Sequence, residues 1–484
     1  MHKLFFYILP AIFYSLSGWT QSEQKTFWAL NGNNGAAAAL TWDNTTGNNR
    51  IDNGSGNWDN STKRWTSNKG IVNLLWRPGA AAIFGGNPGT GTAGTVTLTA
   101  SQTVNSLTFN PAASGTTFTL AENAGTSYSI SNITGNITAN ANALIQTLLV
   151  GSSGLTLTGT GTVTVDSATT YTGTTTISSG TLILSNGSAG SLTPTLSTPV
   201  VIASGATLAA DIFNSNINIS GAITGSGTLS LANTTPQTQS LRLYGNNSGF
   251  TGNFSEPPTS RGIIWSDNGG TGNAANTGSA AAAWNLSGAF GMIETSNSVT
   301  PVLQLGSLTG TNSATTLGAF GTGTSVKIFQ IGALNTSTTF AGAIQDNPQG
   351  GTAVVALTKV GTGTLTMTGT NTYSNATNVQ AGALIFSSIP SSSQWNIGVN
   401  ATSTPTSANS GTMSVPGALI TGITKTVNIV LTGTSTGFTW TAVTFTSTNL
   451  LPPALQLNGT GVLSGVASGG TTVTYTGTTI TVHR

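Results

Sequence analysis

One stretch of this chain occurs twice without a gap, and no other feature restricts the fold as much. Residues 161–184 read GTVTVDSATTYTGTTTISSGTLIL and residues 363–386 read GTLTMTGTNTYSNATNVQAGALIF. A slide of 202 positions lays Gly161 on Gly363, Tyr171 on Tyr373, Gly180 on Gly382 and Leu182 on Leu384. Leu365 and Met367 alternate with Thr364, Thr366 and Thr368, the period of a strand with one buried face. Apolar residues replace one another at the inward positions: Val163 and Leu365, Val165 and Met367, Ile177 and Val379. A turn at Gly369–Asn371 and a break at Ala381-Gly382 separate three short strands. About 25 residues with three strands is the size of one β-solenoid coil. A weaker third copy runs from Gly225 to Leu231 and from Leu243 to Gly252.

The same style fills most of the chain. Val96 and Leu98, Leu107 and Phe109, then Phe118 and Leu120 alternate with Thr, Ser and Asn, and Ile202 to Leu229 continue the pattern. Charged residues make up only 5%, and 63 Gly would suit a disordered chain. Hydrophobic residues at 37%, placed in alternation, argue for folded strands whose solvent face is Thr, Ser and Asn. The repetition favours parallel coils; a row of antiparallel sandwiches is the other fold that such strands permit. From Pro257 to Ala283 the alternation weakens, and a long projecting loop or a degenerate coil is expected.

The stretch Leu357-Thr358-Lys359-Val360-Gly361 to Leu384 resembles the autotransporter-associated β-strand repeat, also called the passenger-associated transport repeat. Asn375 stands where Gly is usual there, and Ala383 where Thr is usual. Gly332 to Asp346 is similar to the usual lead-in. The resemblance implies a secreted, right-handed parallel β-helix from a Gram-negative bacterium, and carries over no catalytic residues.

Both ends differ from the repeats. Residues 1–20 have the form of a signal peptide, with Lys3 before the apolar run Leu4–Leu16. Residues 21–90 hold Trp28, Trp42, Trp58, Trp65 and Trp76, half of the ten Trp. Two readings are open: a cap over the first coil with a Trp core, or a sugar-binding surface with Trp42, Trp58 and Trp65 as glycan-contacting aromatics. Asp52–Asn57 offers oxygens but lacks the spacing of a calcium loop, and reads as an Asn/Gly turn. The solenoid is assigned to 91–387, with repeats near 155–184, 223–254 and 357–386. Residues 388–484 form a small C-terminal β domain, sandwich-like or capping. Within it Leu451–Gly465 resembles a bacterial immunoglobulin-like domain. An export barrel of ten-residue amphipathic strands is not expected there, so separate export machinery is.

The chemistry is sparse. There is no Cys, and the two His are His2 and His483, near the ends. Thiolate, His-based and zinc chemistry therefore lack their residues. Net charge is +2, too small to draw nucleic acid. No stretch of the mature chain is a transmembrane segment, and no metal or cofactor is expected. Eleven carboxylates remain, mostly isolated, with Asp166 read as an outward strand residue. The expectation is a non-enzymatic, exported structural or adhesive protein, secreted or at the cell surface (periplasmic if not exported further). It would contact glycans or other cells through its face and loops. The alternative is a polysaccharide-active lyase or glycoside hydrolase using carboxylates.

Overall fold

The computed structural model describes residues 39–86, 91–187, 194–232, 239–266, 274–294, 301–320 and 326–387, apart from the single positions 68, 116, 124 and 214. Beyond 393 it describes the backbone of eight strands. The signal-peptide assignment and the side chains of 388–484, including the immunoglobulin-like stretch, lie outside the described residues. The fold is nearly all β, and its strands pair mainly in parallel. This is the parallel β-helix that the repeats imply. Two compact units divide the chain, Met1–Ile217 and Asn218–Arg484.

In the first unit, one side stacks Gln102–Phe109, Asn136–Ala139, Leu155–Thr158, Thr175–Ile177 and Val200–Ile202. Their registers align Leu107, Ile137, Leu157, Ile177 and Ile202 in one inward column, each at most 1% exposed. A second side stacks Asn142–Ile145, Thr162–Val165, Thr181–Ser185 and Thr207–Asp211, aligning Ile145, Val165, Leu184 and Ala210. The third side pairs Ser129–Asn132 with Leu148–Val150 and continues through a bridge to Thr169. Each buried aliphatic side chain contributes roughly 1.5–3 kcal/mol, so columns of this kind hold the unit together. Polar residues between them face outward, as the Oγ1 contact between Thr138 and Thr158 at 3.1 Å illustrates.

Residues 39–86 belong to the same stack. Ala39–Trp42 pairs in parallel with Ala80–Phe84, and Gly56–Trp58 with Thr95–Leu98. Trp65–Thr66 and then Asn73–Leu74 add antiparallel strands beside Ala39–Trp42.

In the second unit, Leu241–Leu243, Gly262–Ser266, Phe290–Glu294, Thr316–Phe320 and Ala343–Ile344 form one parallel side. A second runs from Thr228–Leu231 through Ser279–Asn285 and Val354–Lys359. A third holds Thr338–Phe340, Thr364–Met367 and Ala383–Phe386. The stretch 257–283 is not one long loop. Gly262–Ser266 is a fully buried strand, and Ser279–Asn285 is a second, partly buried one. Its alternation was weak because Ile264 and Ser266 are covered on the outward face as well. Parallel pairing also passes residue 387: Thr377–Val379 pairs with Gln394–Asn400, and that strand with Thr426–Thr432.

The repeats themselves contain the turnover from coil to coil. Leu157 stacks on Ile177 and Val163 on Leu182; Lys359 stacks on Val379 and Leu365 on Leu384. Partners lie 20 and 19 positions apart in both copies. The strands around Val379 and Leu384 thus belong to the coil after the one that Leu365 opens. Gly180 and Gly382 turn this corner with φ of 74° and 68°. A Cβ on either would come 2.7 Å or 2.4 Å from a carbonyl of the preceding coil, which explains Gly at both.

Candidate functional site

Trp42, Trp58 and Trp65 were the sequence's candidates for sugar contact, and the structure corrects this. All three are 0% exposed. Their rings pack on one another and on Trp76, with centroids 4.9 Å apart for Trp58–Trp65, 5.4 Å for Trp42–Trp65 and 4.5 Å for Trp65–Trp76. Phe84 joins them from the next coil. A glycan needs an open ring face, and these faces are in contact with other side chains. Composition alone does not separate a sugar-binding aromatic group from a core one.

The turn Asp52–Asn57 is likewise committed to the scaffold. Asp52 pairs with Arg50 at 2.9 Å and accepts from Asn48. Asn53, buried with φ of 53°, accepts the Gly85 N–H at 3.0 Å. Among the described residues, no group of three His, Cys, Asp or Glu could hold a metal ion.

Carboxylates divide by what holds them. Asp346 accepts the backbone N–H groups of Val355 (2.8 Å) and Ser374 (3.0 Å), tying neighbouring coils together. Asp59 accepts from Ser61 and Thr62 within one turn. Glu294 accepts from Arg242 at 2.7 Å and Ser266 at 2.9 Å. Glu256 is 3% exposed; burial pushes its carboxyl up to about 8, against the hydrogen bond from the Gly288 N–H at 2.7 Å. It is therefore mostly a neutral acid at pH 7. Asp166 is not outward as the alternation suggested: it is 4% exposed, at the corner where the strand Thr162–Val165 ends. Asp211 is raised first by burial and then by the charge of Asp166. Asp211 pairs with Ser185, whose strand pairs in turn with Thr162–Val165. Two coil steps at about 4.8 Å put the two acids on the order of 10 Å apart. No Lys or Arg lies between Arg77 and Arg242 in the sequence to assist this pair.

The repeats carry buried polar groups that sequence reading passed over. Tyr171 Oη meets Thr175 Oγ1 at 2.8 Å, and Tyr373 Oη meets Thr377 Oγ1 at 2.6 Å. Both threonines face inward and are 0% exposed. Burial pushes the Tyr171 phenol up to about 12 and that of Tyr373 up as well, so both stay neutral. Lys359, 1% exposed, donates from Nζ to the carbonyls of Val360 (2.6 Å), Gly361 (2.8 Å) and Ala381 (3.2 Å). Burial pushes its amine down to about 8. Asn371 accepts the Ile344 N–H at 2.8 Å, and Asn247 in the weak third copy accepts the Ile223 N–H at 2.8 Å. The two asparagines perform one task, linking a coil to its predecessor.

An open groove lies elsewhere in the second unit. A groove of about 560 Å³ is lined by Asn285, then Thr309, Gly310 and Thr311, then Ser337, Thr338 and Thr339, then Thr364 and Thr366. Registers connect these groups across successive coils: Asn285 with Thr309, and Thr339 with Thr366. Gly310 is closed to a side chain, since a Cβ would lie 2.1 Å from the Leu286 carbonyl. None of the nine lining residues is ionisable or aromatic. Lining positions 24 to 30 apart in sequence carry no local signal, and only the coil register brings them together.

Comparison with known proteins agrees with the repeat. Residues 155–184 and 357–385 match the model of the passenger-associated-transport-repeat. No curated protein and no solved structure matches the chain. Among the described residues, no helix is long and apolar enough to cross a membrane. The two matched stretches point to an autotransporter-type passenger region, which is a secreted or cell-surface bacterial protein.

Proposed function

We propose that this chain is a structural or adhesive protein of the cell surface, without catalytic activity, that contacts glycans through the groove between Asn285 and Thr366. The observation that carries this reading is where the uncommitted polar groups lie. Most of the described carboxylates are engaged by backbone N–H groups, by arginine or by burial. The groove instead presents hydroxyls and an amide to solvent, groups that match sugar hydroxyls as both donors and acceptors. Its volume lies in the range of small-molecule sites.

A glycan array probed with the intact chain, run beside a degradation assay on the retained glycans, tests this. Retention without shortening of the glycan is the expected outcome. Cleavage that disappears on Asp166→Asn or Asp211→Asn would establish the polysaccharide-active enzyme instead. Immunoblotting of cell fractions supplies the second arm: the chain is expected outside the cytoplasm.

A further inference from the structure

In the groove, the side-chain hydroxyls of Thr311, Thr339, Thr364 and Thr366 make no hydrogen bond to the described residues; contacts of Thr311 and Thr364 there are through their backbone N–H groups. Elsewhere, some outward hydroxyls are used by the protein, as where Thr134 bonds the Asn105 carbonyl, Ser153 that of Ile133 and Thr169 that of Thr195, while others, Thr156 and Thr164 among them, are as free as those of the groove. The groove gathers unused hydroxyls around one open space. They come from successive coils, so they repeat at about 4.8 Å along the stacking direction. From the coil of Asn285 to that of Thr366 there are three such steps, about 14 Å. Across the strand, residues two apart add a second row, as Thr364 and Thr366 do.

From these features we infer that the groove takes a neutral, linear oligosaccharide lying along the coil-stacking direction. This rests on the glycan-contact reading above and goes beyond it in charge class, orientation and length. A chain of uronic or sialic acids would find no Lys or Arg among the lining residues, and charge-assisted recognition is the usual partner of such groups. A polybasic ligand would find no carboxylate. A neutral polyol matches the lining in kind. Without an aromatic platform each contact is weak, so affinity in about the millimolar range is expected, and it should grow with ligand length until the groove is spanned.

Ligand-observed NMR on the full chain, with neutral β-1,4-glucan oligosaccharides of increasing length and oligogalacturonates of matched length, tests this. Binding of the neutral series should strengthen with length and then level off. It should not change between ~50 mM and ~500 mM salt, because no ion pair is screened. The double variant Thr339→Val and Thr366→Val keeps β-branched side chains and removes two hydroxyls; it should lose at least about fivefold in affinity, with circular dichroism unchanged. Thr339→Arg, at an exposed position, should block the groove by bulk and serves if the double variant misfolds. Preference for the acidic series, or neutral binding untouched by both variants, would overturn the inference while leaving glycan contact standing. An empty array would remove glycan contact itself.

Discussion

The two matched repeats are the same sequence pattern placed in separate units, and their differences show what the repeat fixes. Both copies stack their halves at steps of 20 and 19 residues. Both bury a Tyr–Thr hydroxyl pair and turn on a left-handed Gly. Other inward positions vary. Leu157 in the first copy corresponds to Lys359 in the second, and the larger polar side chain is tolerated because three carbonyls receive its ammonium. Buried Asp166 corresponds to exposed Thr368. So the pattern fixes coil length, corner and hydroxyl pair, and accepts substitution wherever a polar atom finds a partner.

The largest expected effect tests the shared inward face. Leu365→Asp places an unpaired charge at a position 1% exposed, and should cost on the order of 4 kcal/mol. Val163→Asp should do the same in the first copy. Thr366→Asp, one residue away on the outward face, should cost less than about 0.5 kcal/mol. Limited proteolysis ranks the three. Equal sensitivity of Leu365→Asp and Thr366→Asp would show the faces to be misassigned.

Next is the Lys359 contrast. The amine titrates near 8 when folded, below its ordinary 10.5, so between those values the unfolded chain binds the extra proton. Stability should therefore rise as pH goes from about 8 to about 10.5, by on the order of 3 kcal/mol. Lys359→Leu, copying the first repeat, should abolish that slope in denaturation measured at several pH values. A slope that survives would assign it to another group.

The hydroxyl pairs come third. Tyr171→Phe and Tyr373→Phe each leave a buried threonine hydroxyl without its partner, at a cost of about 1–2 kcal/mol. Adding Thr175→Val or Thr377→Val should recover much of that loss, and the two copies should behave alike in urea titrations. Smallest is Asp166→Thr, which makes the first copy resemble the second. Stability should change by less than about 1 kcal/mol, while the Asp211 titration followed by NMR should move down, since one of its two upward causes is gone.

Much of this was legible in advance. The spacing of 202, the alternation and the small-residue corners give the parallel coil, the inward column and even the weak third copy, where Asn247 does what Asn371 does. Other features were not, for physical reasons. Trp42, Trp58 and Trp65 have the composition of a binding face, and only their mutual packing shows a core. Asp166 sits where a strand ends, and alternation does not extend around a corner. Glu256 and Lys359 are charged types in buried positions, distinguished only by neighbours from other coils. The groove is a product of register across four coils, and no window of sequence contains it.

The 20-residue step also has a mechanical meaning. Val379 rests on Lys359 about 5 Å away along the stack, yet the 20 residues joining them span about 70 Å when drawn straight. Since each coil is held only by its neighbours, tension on the chain should release one loop of slack at a time rather than rupture the whole. In a force-extension trace, increments of about 65 Å should mark the matched repeats. A solenoid built this way lengthens under load more than tenfold per coil before its covalent chain is strained.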